Sequence, residues 1–155
     1  MSSQDRVVPK YGNYDGTPHV GHQDIFGRHD WYFSDAYRTI ANIGIDYEWF
    51  KADEWECEIA DKLQRFFCET MKGKTDAIYA VDGTVIEDKA LHPVAITATN
   101  AQASLAAQGM YRVQCIETFW NTPLRTGDRR YYDNCLYFFA LLALSGNYRI
   151  WKKES

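Results

Sequence analysis

The sequence has no excess of basic residues, no C-x-x-C pair and no apolar run of membrane length, and each absence removes a class of function. Its 155 residues hold 17 Lys and Arg against 21 Asp and Glu, a formal net charge of −4. A chain so balanced lacks the dense positive surface that phosphate backbones demand, so nucleic acid is not an expected partner. The four cysteines, Cys57, Cys68, Cys115 and Cys135, are widely spaced. Without metal-type pairing they read as reduced core residues, three of them on apolar helix faces. The longest apolar run, Leu136 to Leu144, falls far short of the ~20 residues that cross a bilayer, and no membrane partner is expected. Met1 to Lys10 has no apolar segment of the kind secretion signals carry, so the expected compartment is the cytoplasm unless a signal lies upstream in a longer chain.

What the chain does have is aromatic side chains, 15% of all residues, with 11 Tyr and 5 Trp. Tyr and Trp offer a flat apolar face together with a polar handle, which suits contact with sugar rings and suits an ordinary core equally well. A length of 155 residues is about one domain, able to bury roughly two-thirds of its unfolded surface.

Residues 1–28 form a loop-rich opening segment, with Gly12, Asn13, Asp15-Gly16, Pro18, Gly21 and Gly27 and no sustained apolar period. From Asp35 to about Phe50 the apolar positions Tyr37, Ile40, Ala41, Ile45 and Trp49 recur at helical spacing, with Gly44 weakening the helix slightly. A second helix is predicted from Asp53, its cap, to about Met71, with Gly73 beyond its end. Ile78 to Val81, the Asp82-Gly83 turn and Thr84 to Ile86 predict a short β-hairpin. Further helices are predicted from Pro93 to Gln108, from about Tyr111 to Trp120, and from about Asp133 to Leu144, closed by Gly146. The expected class is all-α, an array of α-hairpins with a β-hairpin insertion.

The stretch Trp31-Tyr32-Phe33-Ser34-Asp35-Ala36-Tyr37-Arg38 carries the chemistry. It sets a carboxylate after an aromatic patch and an arginine one turn further on, which suits glycoside hydrolysis: rings stack on aromatics and a carboxylate takes a proton from water. The same spacing also suits a helix cap, Asp35, with Arg38 as its surface partner.

Several separate motifs in order resemble the C-terminal half of glycoside hydrolase family 8, over about Asp15 to Trp151. They are Ser34-Asp35-Ala36-Tyr37-Arg38, Ala41-Asn42-Ile43-Gly44, Leu91-His92-Pro93, Phe119-Trp120-Asn121-Thr122-Pro123, Arg130-Tyr131-Tyr132-Asp133-Asn134 and Leu144 to Trp151. Within that family Leu91-His92-Pro93, with the preceding Asp82-Gly83 turn, most resembles the reducing-end xylose-releasing exo-oligoxylanases, where the tripeptide makes a kink that walls off one end of the cleft. Endoglucanase or chitosanase specificity is the alternative within the family.

The resemblance implies part of an (α/α)6 barrel and hydrolysis with inversion of β-1,4-linked xylo-oligosaccharides. Asp35 matches the catalytic base and Arg38 an arginine beside it. His92 matches the kink histidine and is expected to bind sugar at the closed end. The general acid is a glutamate in the half this chain does not contain, so the chain alone is expected to be nearly inactive. Trp31, Tyr32, Tyr37 and Tyr132 are the aromatic candidates for sugar stacking, Trp31 and Tyr32 foremost, and His29 is a candidate cleft residue. Tyr131, Tyr132, Tyr137, Phe138 and Phe139 read mainly as core around the last helix. His19, His22 and His29 are weak grounds for a metal, and neither metal nor cofactor is expected. About half a barrel would leave apolar stripes uncovered, so self-association or a complementing N-terminal half is the expected protein partner. A non-catalytic glycan-binding or structural fragment is the reading from a different class.

Overall fold

The computed structural model describes residues 7–21, 23–24, 27–87 and 89–151. Strands β1 (Gln23–Asp24) and β2 (Gly27–Arg28) make a short antiparallel ladder, and β3 (Trp31–Tyr32) follows. Helices α1 (Tyr37–Phe50) and α2 (Glu54–Arg65) come next, α2 running on into a π-helical turn at Phe66–Thr70. Strands β4 (Ile78–Ala80) and β5 (Val85–Glu87) precede helices α3 (Pro93–Gln102), α4 (Arg112–Trp120) and α5 (Arg130–Leu144).

Local chemistry explains most of these boundaries. Asp53 caps α2 by accepting the Trp55 N–H at 3.1 Å, and Glu54 and Glu56 in its first turn oppose Lys62 and Arg65 in its last, matching the helix dipole. Pro93 opens α3, where its missing N–H costs nothing. The β4–β5 hairpin turns at Asp82-Gly83, with the Thr84 N–H on Asp82 at 2.9 Å and Gly83 at φ +91°.

Three expectations are corrected. The hairpin is not a lone insertion on an all-α chain: β4 pairs antiparallel with β3, Trp31 opposite Ala80 and Tyr32 opposite Tyr79, so the fold is helix-rich with a small three-stranded sheet. The opening segment is partly ordered by that sheet, because Lys10 and Tyr11 donate to the carbonyls of Trp31 and His29 and Val7 lies in the core. The helix predicted to Gln108 stops at Gln102 and tightens into a 3-10 turn at Ala103–Leu105.

That early stop lies where α1 crosses. Helix α3 is buried on every side from Ala95 to Gln102 and packs against α5, α1 and α4. Its buried Gln102 side chain donates to the Ala41 carbonyl at 3.1 Å. A Cβ at Gly44 would lie 2.5 Å from the Gln102 carbonyl oxygen, backbone that cannot swing aside. The glycine read as a weakness in α1 is thus what lets the two helices touch. Gly44→Ala is expected to lower stability by about 1–3 kcal/mol through overpacking, seen as an earlier urea midpoint, whereas Gly12→Ala, whose Cβ would meet only the Thr17 carbonyl oxygen at 3.6 Å, should leave the midpoint nearly unchanged.

Candidate active site

The chain leaves β3 through a strained turn. Ser34 holds φ +49°, a left-handed conformation costly for a residue with a side chain, and opens a 3-10 turn at Ser34–Ala36 that leads into α1. Its carbonyl accepts the Tyr132 hydroxyl at 3.1 Å, which ties the turn to α5. Burial first, and then the Asp35 charge, push the Tyr132 phenol up, so it stays a proton donor.

Asp35 does not cap α1: no side chain caps that helix, and the capping position is Ala36. It pairs instead with Arg38 at 2.9 Å and keeps about a third of its side chain exposed, 32% against 54% for the arginine. An open pocket of about 380 Å³ lies beside it, lined by Ser34, Asp35, His92, Arg129, Tyr131 and Tyr132. Three separate pieces of chain build this cavity: the β3–α1 turn, the start of α3 and the start of α5.

His92 takes the N-cap position of α3 and is 8% exposed, its ring 4.5 Å from that of Tyr132. Behind it sits Asp133, fully buried on α5. One Asp133 oxygen accepts the Ala95 N–H at 2.7 Å; the other meets His92 Nδ1 at 3.2 Å and the Arg125 guanidinium. Arg125 also donates to the Leu91 carbonyl, and its backbone is clipped to the Asn134 side chain at 2.9 and 3.0 Å. Burial alone would raise the Asp133 carboxyl, but hydrogen bonds from His92, Ala95 and Arg125 outweigh it and hold it below the usual carboxylate range. The Leu91-His92-Pro93 segment is therefore anchored from beneath by one carboxylate.

Of the residues expected at the site, Asp35 and His92 share this cavity. Arg38 touches Asp35 but otherwise faces a second groove, with Trp49, Phe139 and Tyr148. Trp31 is half-buried with the Arg28 guanidinium over its ring at 5.7 Å, and His29 packs edge-on against Tyr11 at 4.4 Å; neither lines the Asp35 pocket. His22 lies outside the described residues. Tyr32 is corrected outright: it is completely buried, edge-on to Tyr37 at 5.0 Å, because pairing with Tyr79 turns it into the core. The reverse correction applies to Tyr131, read as core yet 80% exposed and on the pocket wall, and to Phe138 and Phe139, both exposed. Asp133, Arg125 and Arg129 were missed. The only sequence signal for Asp133 was its place in the Arg130-to-Asn134 motif.

No family model matches the chain. It is 50% identical over 149 residues to the reducing end xylose-releasing exo-oligoxylanase of Halalkalibacterium halodurans, covering 96% of this chain and 37% of that protein. Among solved structures, a glutamate-to-alanine mutant of Rex8A from Paenibacillus barcinonensis, complexed with arabinofuranosyl-xylotetraose, superposes with a TM-score of 0.91 at 44% identity over 100% of this chain and 40% of that one. A double mutant of the same protein, changed at a consecutive leucine and histidine, gives 0.89 at 44% identity over 98% and 40%. The chain spans little more than a third of the length of the relatives it matches.

Breaking the Asp133 cluster should cost more than any surface change, since Asp133→Ala leaves the part-buried Arg125 guanidinium, the His92 ring and the Ala95 N–H without their shared acceptor; about 3–5 kcal/mol is expected. Because the folded carboxyl is depressed, its stabilisation is complete above the unfolded value near 3.8 and is lost as pH falls through the lower folded value. Urea midpoints recorded through the acid range should therefore fall more steeply for the native chain than for Asp133→Asn.

Proposed function

We propose that this chain, a homologue of just over a third of the reducing-end xylose-releasing exo-oligoxylanases, is the base-bearing C-terminal part of a family 8 glycoside hydrolase. The whole enzyme hydrolyses β-1,4 bonds of xylo-oligosaccharides with inversion, and Asp35 activates the water. The observation that carries the reading is the pocket in which the part-exposed Asp35 carboxylate sits with His92, Tyr131 and Tyr132. Arg38 pairs with that carboxylate at 2.9 Å and fixes its direction.

An inverting site needs a second carboxyl about 6.5–9.5 Å from the base, protonated, to meet the leaving oxygen. Among the described residues lining the pocket, Asp35 is the one acidic side chain. The acid is supplied by the rest of the longer protein, and the chain alone binds sugar without turning it over. Support for a missing complement comes from the groove of about 390 Å³ between α1 and α5, lined by Ile45, Trp49, Phe50, Leu136, Phe139 and Tyr148. Phe50 is 59% and Phe139 43% exposed there. In an (α/α)6 barrel that seam is closed by further helices.

Xylo-oligosaccharide specificity is supported by the Leu91–His92 pair, the single Leu-His dipeptide in this sequence, since Rex8A has been altered at such a pair. On this reading His92, on the pocket wall, limits how far a longer chain can extend, which favours release of a terminal xylose over internal cleavage.

The test is a chimera in which this chain replaces the homologous stretch of the Halalkalibacterium enzyme. The chimera should release xylose from xylotriose, and Asp35→Asn in it should cut kcat by about 10²–10⁴-fold, the worth of a general base, with little change in KM. The isolated chain should bind xylotriose in titration calorimetry while releasing no xylose. Full turnover by Asp35→Asn overturns the assignment of the base; absence of both binding and chimeric activity leaves a structural fragment.

A further inference from the structure

Asp133 does more than anchor a loop, because its hydrogen-bond accounting fixes the state of His92. An ionised carboxylate only accepts. Its Oδ1 is taken by the Ala95 backbone N–H and its Oδ2 by the Arg125 guanidinium, both obligate donors. The remaining neighbour on Oδ2 is His92 Nδ1 at 3.2 Å, and two lone-pair atoms cannot face each other inside a protein, so Nδ1 carries the proton. In a neutral imidazole Nε2 then has none. Nδ1 is spent on Asp133, so Nε2 is the ring nitrogen left to His92 as a lining residue of the pocket it shares with Asp35 and Ser34. The Tyr132 ring against His92 at 4.5 Å and the seat of His92 at the N-cap of α3 hold the ring in place.

We infer that Asp133 is a positioning residue that presents His92 to the pocket as a hydrogen-bond acceptor at Nε2, matched to the proton of a sugar hydroxyl. The role rests on the reading of the pocket as a sugar site; the tautomer itself does not. A histidine held the opposite way would offer a donor and would select a different sugar oxygen contact. The carboxylate makes that choice from beneath the pocket, without touching the ligand.

The signature is spectroscopic. Long-range 1H–15N spectra of the full chain with labelled histidine, recorded at about pH 8 where an ordinary imidazole is neutral, should show His92 with a protonated Nδ1 and a bare Nε2. Loss of the signal in His92→Gln assigns it. In Asp133→Ala no carboxylate remains to accept from Nδ1, so the enforced pattern should be lost and signal from a protonated Nε2 should appear. A protonated Nε2 in the native chain overturns the inference, as does an unchanged pattern in a folded Asp133→Ala. If that variant does not fold, the native pattern decides by itself. Adding xylotriose should move the Nε2 resonance of the native chain. An intact native pattern with no response to xylotriose refutes the sugar-facing role and the pocket reading together, while leaving the tautomer standing.

Discussion

A single buried carboxylate, Asp133, is the constraint around which the pocket is arranged. It is fully enclosed on α5, and a charge in that position costs several kcal/mol unless every lone pair is met. Ala95, Arg125 and His92 meet them, and each comes from a segment that matters. Ala95 belongs to the first turn of the central helix, where its N–H would otherwise lack a partner. Arg125 also grips the Leu91 carbonyl, and His92 is a pocket wall. The cost of burying the charge is offset only if α3, α5 and the Leu91–Pro93 kink hold one relative placement, so a core interaction sets the shape of a surface cavity.

The opposite wall is held differently. Asp35 sits on a turn whose first residue, Ser34, is in a left-handed conformation that a side chain resists. Two contacts keep it there: the antiparallel pairing of β3 with β4 upstream and the Tyr132 hydroxyl on the Ser34 carbonyl. That left-handed residue sets the direction in which the chain enters the 3-10 turn and α1. With it, the Asp35 side chain is released from the helix end, pairs with Arg38 and turns toward the cavity. Tyr132 thereby links both walls, its hydroxyl on one and its ring on the other.

The contrast between what was legible in the sequence and what was not follows sequence distance. The Asp53 cap, the Asp82-Gly83 hairpin turn, Pro93 at a helix start and Gly146 after the last helix were readable because each acts within a few residues. Tyr32 was misread because its burial depends on pairing with Tyr79, a partner in a strand that composition could locate but not orient. Asp133 was invisible as a hub since its partners Ala95 and His92 lie 38 and 41 residues away. Tyr131 and Phe139 read as core from their apolar neighbours on α5, and the helix presents them outward.

That outward presentation is coherent once charge and apolar surface are considered together. Helices α1 and α5 each bury one stripe against α3 and expose a second along the groove that holds Trp49, Phe139 and Tyr148. Arg38 stands where this groove meets the Asp35 side, paired with Asp35 and lining the groove at once. A protein segment filling the groove would remove water from the Arg38 side of the ion pair, and exclusion of water strengthens such a pair. Closure of the apolar seam and the surroundings of the Asp35–Arg38 pair would then be consequences of the same packing event.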